Sequence, residues 1–177
     1  MKLYKIKSKE YFESFSIKEF DQTEEFKGIN ELENNWDEKK LKVVTKGKTA
    51  DIMFCWSPMK HMILSEHGLS VLKEYLDFND IELLTVKYSR KKYYIIHGIK
   101  AYDLECNCVE KGRKILDIFN KTELVEKKME QKCMFRVEFS YGVLSEMFYT
   151  EKFIQLLSEL NLEGVDFEVA WDSEVEI

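Results

Sequence analysis

A chain of 177 residues with 45% apolar and 14% aromatic side chains can bury a core without a metal or disulfide staple, and it is too apolar to be disordered despite 34% charged residues. Its net charge of −6 disfavours anionic partners such as nucleic acid or an acidic membrane surface. No stretch approaches the roughly 18 apolar residues of a spanning helix, and Met1-Lys2-Leu3-Tyr4-Lys5 opens no secretory signal; the reading is a soluble cytoplasmic protein with reduced cysteines.

Leu3, Tyr4 and Ile6 form a strand-like opening. Residues 9–40 are polar and acidic, with scattered aromatics (Tyr11, Phe12, Phe15, Phe20, Phe26, Trp36), and read as irregular chain with short helical turns. Leu41-Lys42-Val43-Val44 reads as a strand and Gly47 as a turn. The apolar run Ile52-Met53-Phe54-Cys55-Trp56 is broken by Pro58, the only proline.

Two later segments look alike. The first runs through Met62-Ile63-Leu64-Ser65-Glu66 and Leu69, Leu72, Tyr75 and Leu76 to Ile81–Val86. The second runs through Met147-Phe148-Tyr149-Thr150-Glu151 and Phe153, Leu156, Leu157 and Leu160 to Val165–Val169. Each predicts a strand, a hydroxyl cap, an amphipathic helix (near 66–77 and 151–161) and a second strand. Between them, 81–88 and 93–99 predict a hairpin about the basic turn Ser89-Arg90-Lys91-Lys92, and 114–118, 122–125 and 134–137 read as further strands. The fold class is α+β, with a mostly antiparallel sheet, two similar strand–helix–strand units and an irregular acidic N-terminal segment. The predicted division is residues 1–45, a strand and acidic segment packed on the rest, and residues 46–177, the main domain.

Chemistry-bearing residues form no known constellation. Cys106-Asn107-Cys108 lacks zinc-type spacing, and neither Cys133 nor His97 completes a ligand set by its position in sequence. No active-site signature surrounds any of the four cysteines, although a Cys–His pair with His61, His67 or His97 stays open, because such pairs are spatial. The seven glycines are dispersed and make no phosphate loop. Lys87–Tyr94 interleaves bases with aromatics and reads as a solvated turn rather than a nucleic-acid grip. No catalytic residue, cofactor or metal is predicted.

Charge is uneven. Residues 161–177 hold Glu163, Asp166, Glu168, Asp172, Glu174 and Glu176 and no base, so this stretch alone carries −6 and residues 1–160 sum to zero. A second acidic stretch, 10–40, has ten carboxylates against four lysines. Trp171 lies among the terminal acids, either as an interface anchor for a basic partner or as packing on the last strand.

Ile63-Leu64-Ser65-Glu66, Tyr93-Tyr94-Ile95-Ile96, Ala101-Tyr102-Asp103, Met134-Phe135-Arg136, Phe148-Tyr149-Thr150-Glu151 and Leu162–Phe167 together resemble immunity protein family eleven of bacterial polymorphic toxin systems. The resemblance spans about residues 50–172, leaves 1–45 uncovered, and departs at Cys106 and Cys108. It implies a non-enzymatic protein that binds and neutralises a cognate toxin. The partner expected from the charge is basic, with Trp171, Asp172 and Glu174 at the interface. The competing readings are a small cysteine- or carboxylate-dependent hydrolase and a nucleic-acid-binding module.

Overall fold

A computed structural model describes residues 1–18, 29, 31–56, 60–111, 114–119, 122–139, 142–143 and 146–174. The chain is α+β. Among the described residues, β2 (Ser14–Ile17), β3 (Lys39–Thr45), β4 (Ile52–Cys55), β5 (His61–Ser65), β6 (Ile81–Tyr88) and β7 (Lys91–Gly98) close a barrel in the order β2-β3-β6-β7-β5-β4. A second sheet runs β13-β1-β12-β10-β8-β9, with β11 added to β10. Its strands are β1 (Lys2–Ser8), β8 (Ala101–Lys111), β9 (Lys114–Phe119), β10 (Met134–Phe139), β11 (Gly142–Val143), β12 (Phe148–Thr150) and β13 (Val165–Asp172). Both sheets are mixed: β2–β4, β3–β6 and β8–β10 pair parallel.

The barrel strands explain the apolar runs. Met53, Cys55, Ile63, Leu84, Val86, Tyr93 and Ile95 pack in one cluster with Phe15, Ile17 and Leu41. Their alternates Ile52, Phe54, Met62, Leu64, Ile81 and Ile96 belong to a central cluster shared with the second sheet. A strand buried on both faces has no polar alternation to show. The second sheet also has two covered faces. Ile6, Met134, Tyr149 and Val165 enter the central cluster, while Leu3, Phe135, Val137, Phe148 and Trp171 pack with Val125 and Met129 of a helix.

Three α-helices are described: α1 (Glu66–Leu72), extended by a 3-10 turn at Lys73–Tyr75; α2 (Thr122–Met129); and α3 (Glu151–Glu159). The Ser65 hydroxyl accepts from the Gly68 amide at 2.9 Å, and the Thr150 hydroxyl accepts from the Phe153 amide at 3.4 Å. These caps satisfy amides of the first helical turn that have no partner within the helix. β5 and β6, which flank α1, do not pair with each other; both pair antiparallel with β7. β12 and β13, which flank α3, likewise both pair with β1. Each helix therefore returns the chain across an intervening strand, and both helices bury Leu72, Phe153 and Leu157 in the central cluster. Each such burial contributes about 1.5–3 kcal/mol. Gly164, at a positive φ of 131°, turns the chain from α3 into β13 where a Cβ would strike the Ile52 carbonyl.

Several expectations are corrected. Thr122–Val125 is not a strand but the start of α2, whose Val125 and Met129, four residues apart, face Phe135 and Phe148. A four-residue apolar run does not separate strand from helix, and here the i, i+4 contact decides. The segment 9–40 is not wholly irregular, since Ser14–Ile17 is a barrel strand. Residues 1–45 supply β1, β2 and β3, hydrogen-bonded into both sheets. Pro58 lies outside the described residues.

Candidate functional site

A short strap, Leu32 to Trp36, built around a 3-10 turn at Glu33–Asn35, lies against β6 of the barrel. Glu82, on β6, is 6% exposed and holds the strap: the amides of Leu32 and Glu33 donate to its two carboxylate oxygens at 2.8 and 3.0 Å. The Trp36 indole donates to the Thr85 carbonyl at 2.7 Å, and Leu32 and Trp36 pack on the barrel cluster. Behind Glu82 lies His97, its register partner on β7, with Nε2 at 3.8 Å from Oε1. His61 follows, with ring centroids 6.2 Å apart. Burial first, then the neighbouring Glu33 and Glu31, raise Glu82 above the usual carboxylate range against the pull of its two amide donors. Burial, reinforced by His97 and Arg136, pushes His61 down to about 3. From the second sheet, buried Arg136 donates to the Gly98 carbonyl at 2.7 Å, lying where a side chain on residue 98 would collide with it.

Beside the strap, Asp77–Asp80 makes a tight turn. Asp77 Oδ1 accepts from the Asn79 amide at 3.1 Å and from its side-chain nitrogen at 2.9 Å, while the Asp80 amide returns to the Asp77 carbonyl at 2.9 Å. The turn presents Phe78, and the preceding 3-10 turn presents Tyr75; each ring is 46% exposed. Clefts open on both sides of this ridge, with Ile81 lining both.

The first cleft, about 410 Å³, is lined by acids and bases together, among them Asp77, Asp80, Lys128, Lys132 and Lys152. Buried Asp80 accepts from Lys132 and, at 2.8 Å, from the Tyr102 hydroxyl, with Lys100 at 3.6 Å. Burial opposes charge on Lys132, but hydrogen bonds to Asp80, Tyr102 and Asp77 hold its ammonium above its ordinary value. Lys132 chiefly, then Asp77's own turn, keeps Asp77 below the usual range. The second cleft, about 300 Å³, is lined by Glu31, Glu33, Asn34, Phe78, Ile81, Glu82, Leu83 and Ile99, with no base among them.

The residues expected at an interface are placed differently from one another. Trp171 is 6% exposed and packs with Leu3, Phe135 and Phe148. Asp172 pairs with Lys2 at 3.5 Å, and Glu174 is exposed, its amide donating to Asp172 Oδ1 at 3.1 Å. Of the other acids of β13, Glu168 stands at the register position opposite Lys5, whose ammonium pairs with Glu146 at 3.4 Å, and Asp166 stands opposite Lys7. In the basic turn, Lys87 pairs with Glu38 at 3.2 Å, Lys92 lies over the Tyr94 ring, and Tyr93 is buried.

Cys55 is buried opposite His61 in the barrel, and Cys133 lines the first cleft, its thiol pushed up by burial; neither is in a disulfide. The side chains of Cys106 and Cys108 lie outside the described residues. Among the described residues, no group of three or more His, Cys, Asp or Glu is arranged to hold a metal ion, and no helix is long and apolar enough to cross a membrane.

Sequence reasoning missed Phe78, Glu82 and the strap. One signal was available: in Asp77-Phe78-Asn79-Asp80 an aromatic sits among turn formers, where it has little chance of being buried. No protein-family model and no curated protein matches this sequence.

Proposed function

We propose that this chain acts by binding rather than by catalysis, as a cytoplasmic immunity protein that occludes a cognate, basic bacterial toxin. The observation that carries the reading is the acidic cleft beside the Leu32–Trp36 strap, whose described lining residues include three carboxylates and no lysine or arginine. Acids without partner bases keep their field available to an incoming cation, and they repel phosphate-rich ligands. The short motifs shared with immunity proteins support the same reading. Trp171, Asp172 and Glu174 are the interface that charge along the sequence favours.

The test is co-expression with the toxin domain encoded beside this gene. Growth should be rescued, and the two proteins should co-purify as a stable complex. Failure of rescue with both proteins expressed and folded would sink the reading.

The pairing of Glu82 with His97 beside a cleft favours a second reading, a carboxylate-dependent hydrolase. Both Glu82 oxygens, however, already accept backbone amides, an arrangement that suits a clamp better than a general base.

A further inference from the structure

Resting on the binding reading, we infer that the partner docks on the Asp77–Asp80 ridge rather than on the end of β13: Phe78 is the anchor, and the cleft beside it receives a lysine or arginine of a basic protein partner. Two features of different kind coincide here. Phe78 projects 46% exposed from a turn held by the Asp77–Asn79 hydrogen bonds, so presenting it costs little ordering on association. Beside it stand Glu31 and Glu33, exposed, on a strap held at both ends by Glu82 and by the Trp36 indole. A preorganised aromatic flanked by acids is the surface on which a basic protein gains both a packed anchor and a steered approach.

The chemistry selects among occupants. A phosphate backbone would meet carboxylates and be repelled. A second copy of this chain, packed through this same ridge about a two-fold axis, would bring two like-charged acidic patches together. A loop carrying lysine or arginine next to an apolar residue meets neither penalty. At the end of β13, Trp171 and Asp172 are already engaged: Trp171 is covered by the core, and Asp172 pairs with Lys2.

The test uses the full chain, the toxin domain encoded beside the gene, and, independently, a synthetic arginine-rich peptide. Phe78→Ala should weaken toxin binding roughly 30-fold, mainly through faster dissociation. Glu31→Lys with Glu33→Lys should slow association roughly tenfold at low salt and flatten its salt dependence. Asp172→Lys with Glu174→Lys should change either rate less than about twofold. All these positions except Asp172 are exposed, and cooperative melting transitions well above the assay temperature confirm that the variants fold. With the peptide, amide shifts should concentrate at residues 31–34 and 77–82. If the toxin binds but only the Asp172/Glu174 variant weakens it, the ridge is refuted and the binding reading stands. If the toxin neither binds nor is neutralised while the peptide still marks the ridge, the toxin reading fails and the basic-partner surface stands. Peptide shifts elsewhere, or a homodimer that buries Phe78, overturn the inference.

Discussion

Along β13, Asp166, Glu168 and Asp172 stand opposite Lys7, Lys5 and Lys2 of β1, whereas beside the Leu32–Trp36 strap Glu31, Glu33 and Glu82 gather in a cleft with no lysine or arginine among its described lining residues. Counted along the chain, the last 17 residues look the more acidic, with six carboxylates and no base. In three dimensions β13 faces lysines: Asp172 pairs with Lys2, and Asp166 and Glu168 stand at register positions opposite Lys7 and Lys5. The matching lysines come from the opposite end of the sequence, brought into register by an antiparallel pairing that no local window contains. Net charge per segment is therefore a poor guide to the field a partner meets. What matters is which acids have found a base.

The largest expected effect comes from taking a base away from a buried acid that has one. Lys132→Met leaves Asp80, 2% exposed, with Tyr102 and a more distant Lys100 as its remaining partners. It should lower unfolding free energy by about 3 kcal/mol in urea titrations. Adding Asp80→Asn should recover part of that loss, because the uncompensated charge is then gone. If Lys132→Met alone costs nothing, the distinction between neutralised and free acids loses its energetic meaning.

Glu82 tests the other side of the contrast, since its closest partners are the Leu32 and Glu33 amides rather than a lysine or arginine. Glu82→Ala should cost about 2 kcal/mol and specifically speed hydrogen exchange at the Leu32 and Glu33 amides. Unchanged exchange there would mean that the strap is held by packing alone.

Acidification sharpens the comparison through His61. Its folded value, about 3, lies below the ordinary 6.5, so the unfolded chain binds the extra proton between those values. Stability is fully present above about pH 6.5 and falls as pH drops toward 3, with a slope of at most about 1.4 kcal/mol per pH unit. Glu82 works in the opposite sense: raised above its ordinary value, it lets the folded state hold a proton longer and opposes the loss. Melting curves between pH 7 and 4.5, a range chosen to stay above most carboxylate titrations, should be steeper in pH for the native chain than for His61→Leu.

The smallest effect is expected on the β1–β13 ladder. Asp172→Lys should lower the melting temperature slightly by setting like charges at 172 and 2, and adding Lys2→Glu should restore it. Failure of the double variant to recover would show that the ladder's register, not its charge, is what matters.

What was legible in the sequence was whatever is local. The caps at Ser65 and Thr150, the hairpin about Ser89 and Arg90, and the apolar runs of β4 and β5 are each set by neighbours within a few residues. β8 also carried a readable signal, since Tyr102, Leu104, Cys106 and Cys108 alternate with Asp103, Glu105 and Asn107, but the paired cysteines drew the reading toward thiol chemistry. Barrel closure by β2–β4 and the union of β1 with β12 and β13 were not readable, because they are long-range pairings. The candidate site was hidden for the same reason. Its acids come from the strap and from β6, about 50 positions apart, and Glu82's reach to the Leu32 and Glu33 amides, with the Trp36 indole on the Thr85 carbonyl, brings them together.

The position of β1 between β12 and β13 has a consequence for how the protein is made. Residues 2–8 leave the ribosome well before both their neighbours, 148–150 and 165–172, which are synthesised about 140 to 170 residues later. At about 5–20 residues per second, β1 waits on the order of ten seconds with both backbone edges open. During that interval Leu3, Tyr4 and Ile6 are a strand without a sheet, a template on which another nascent chain can pair. The lysines at 2, 5 and 7, which later meet the acids of β13, are in this window the charges that keep one unfinished chain from joining the next.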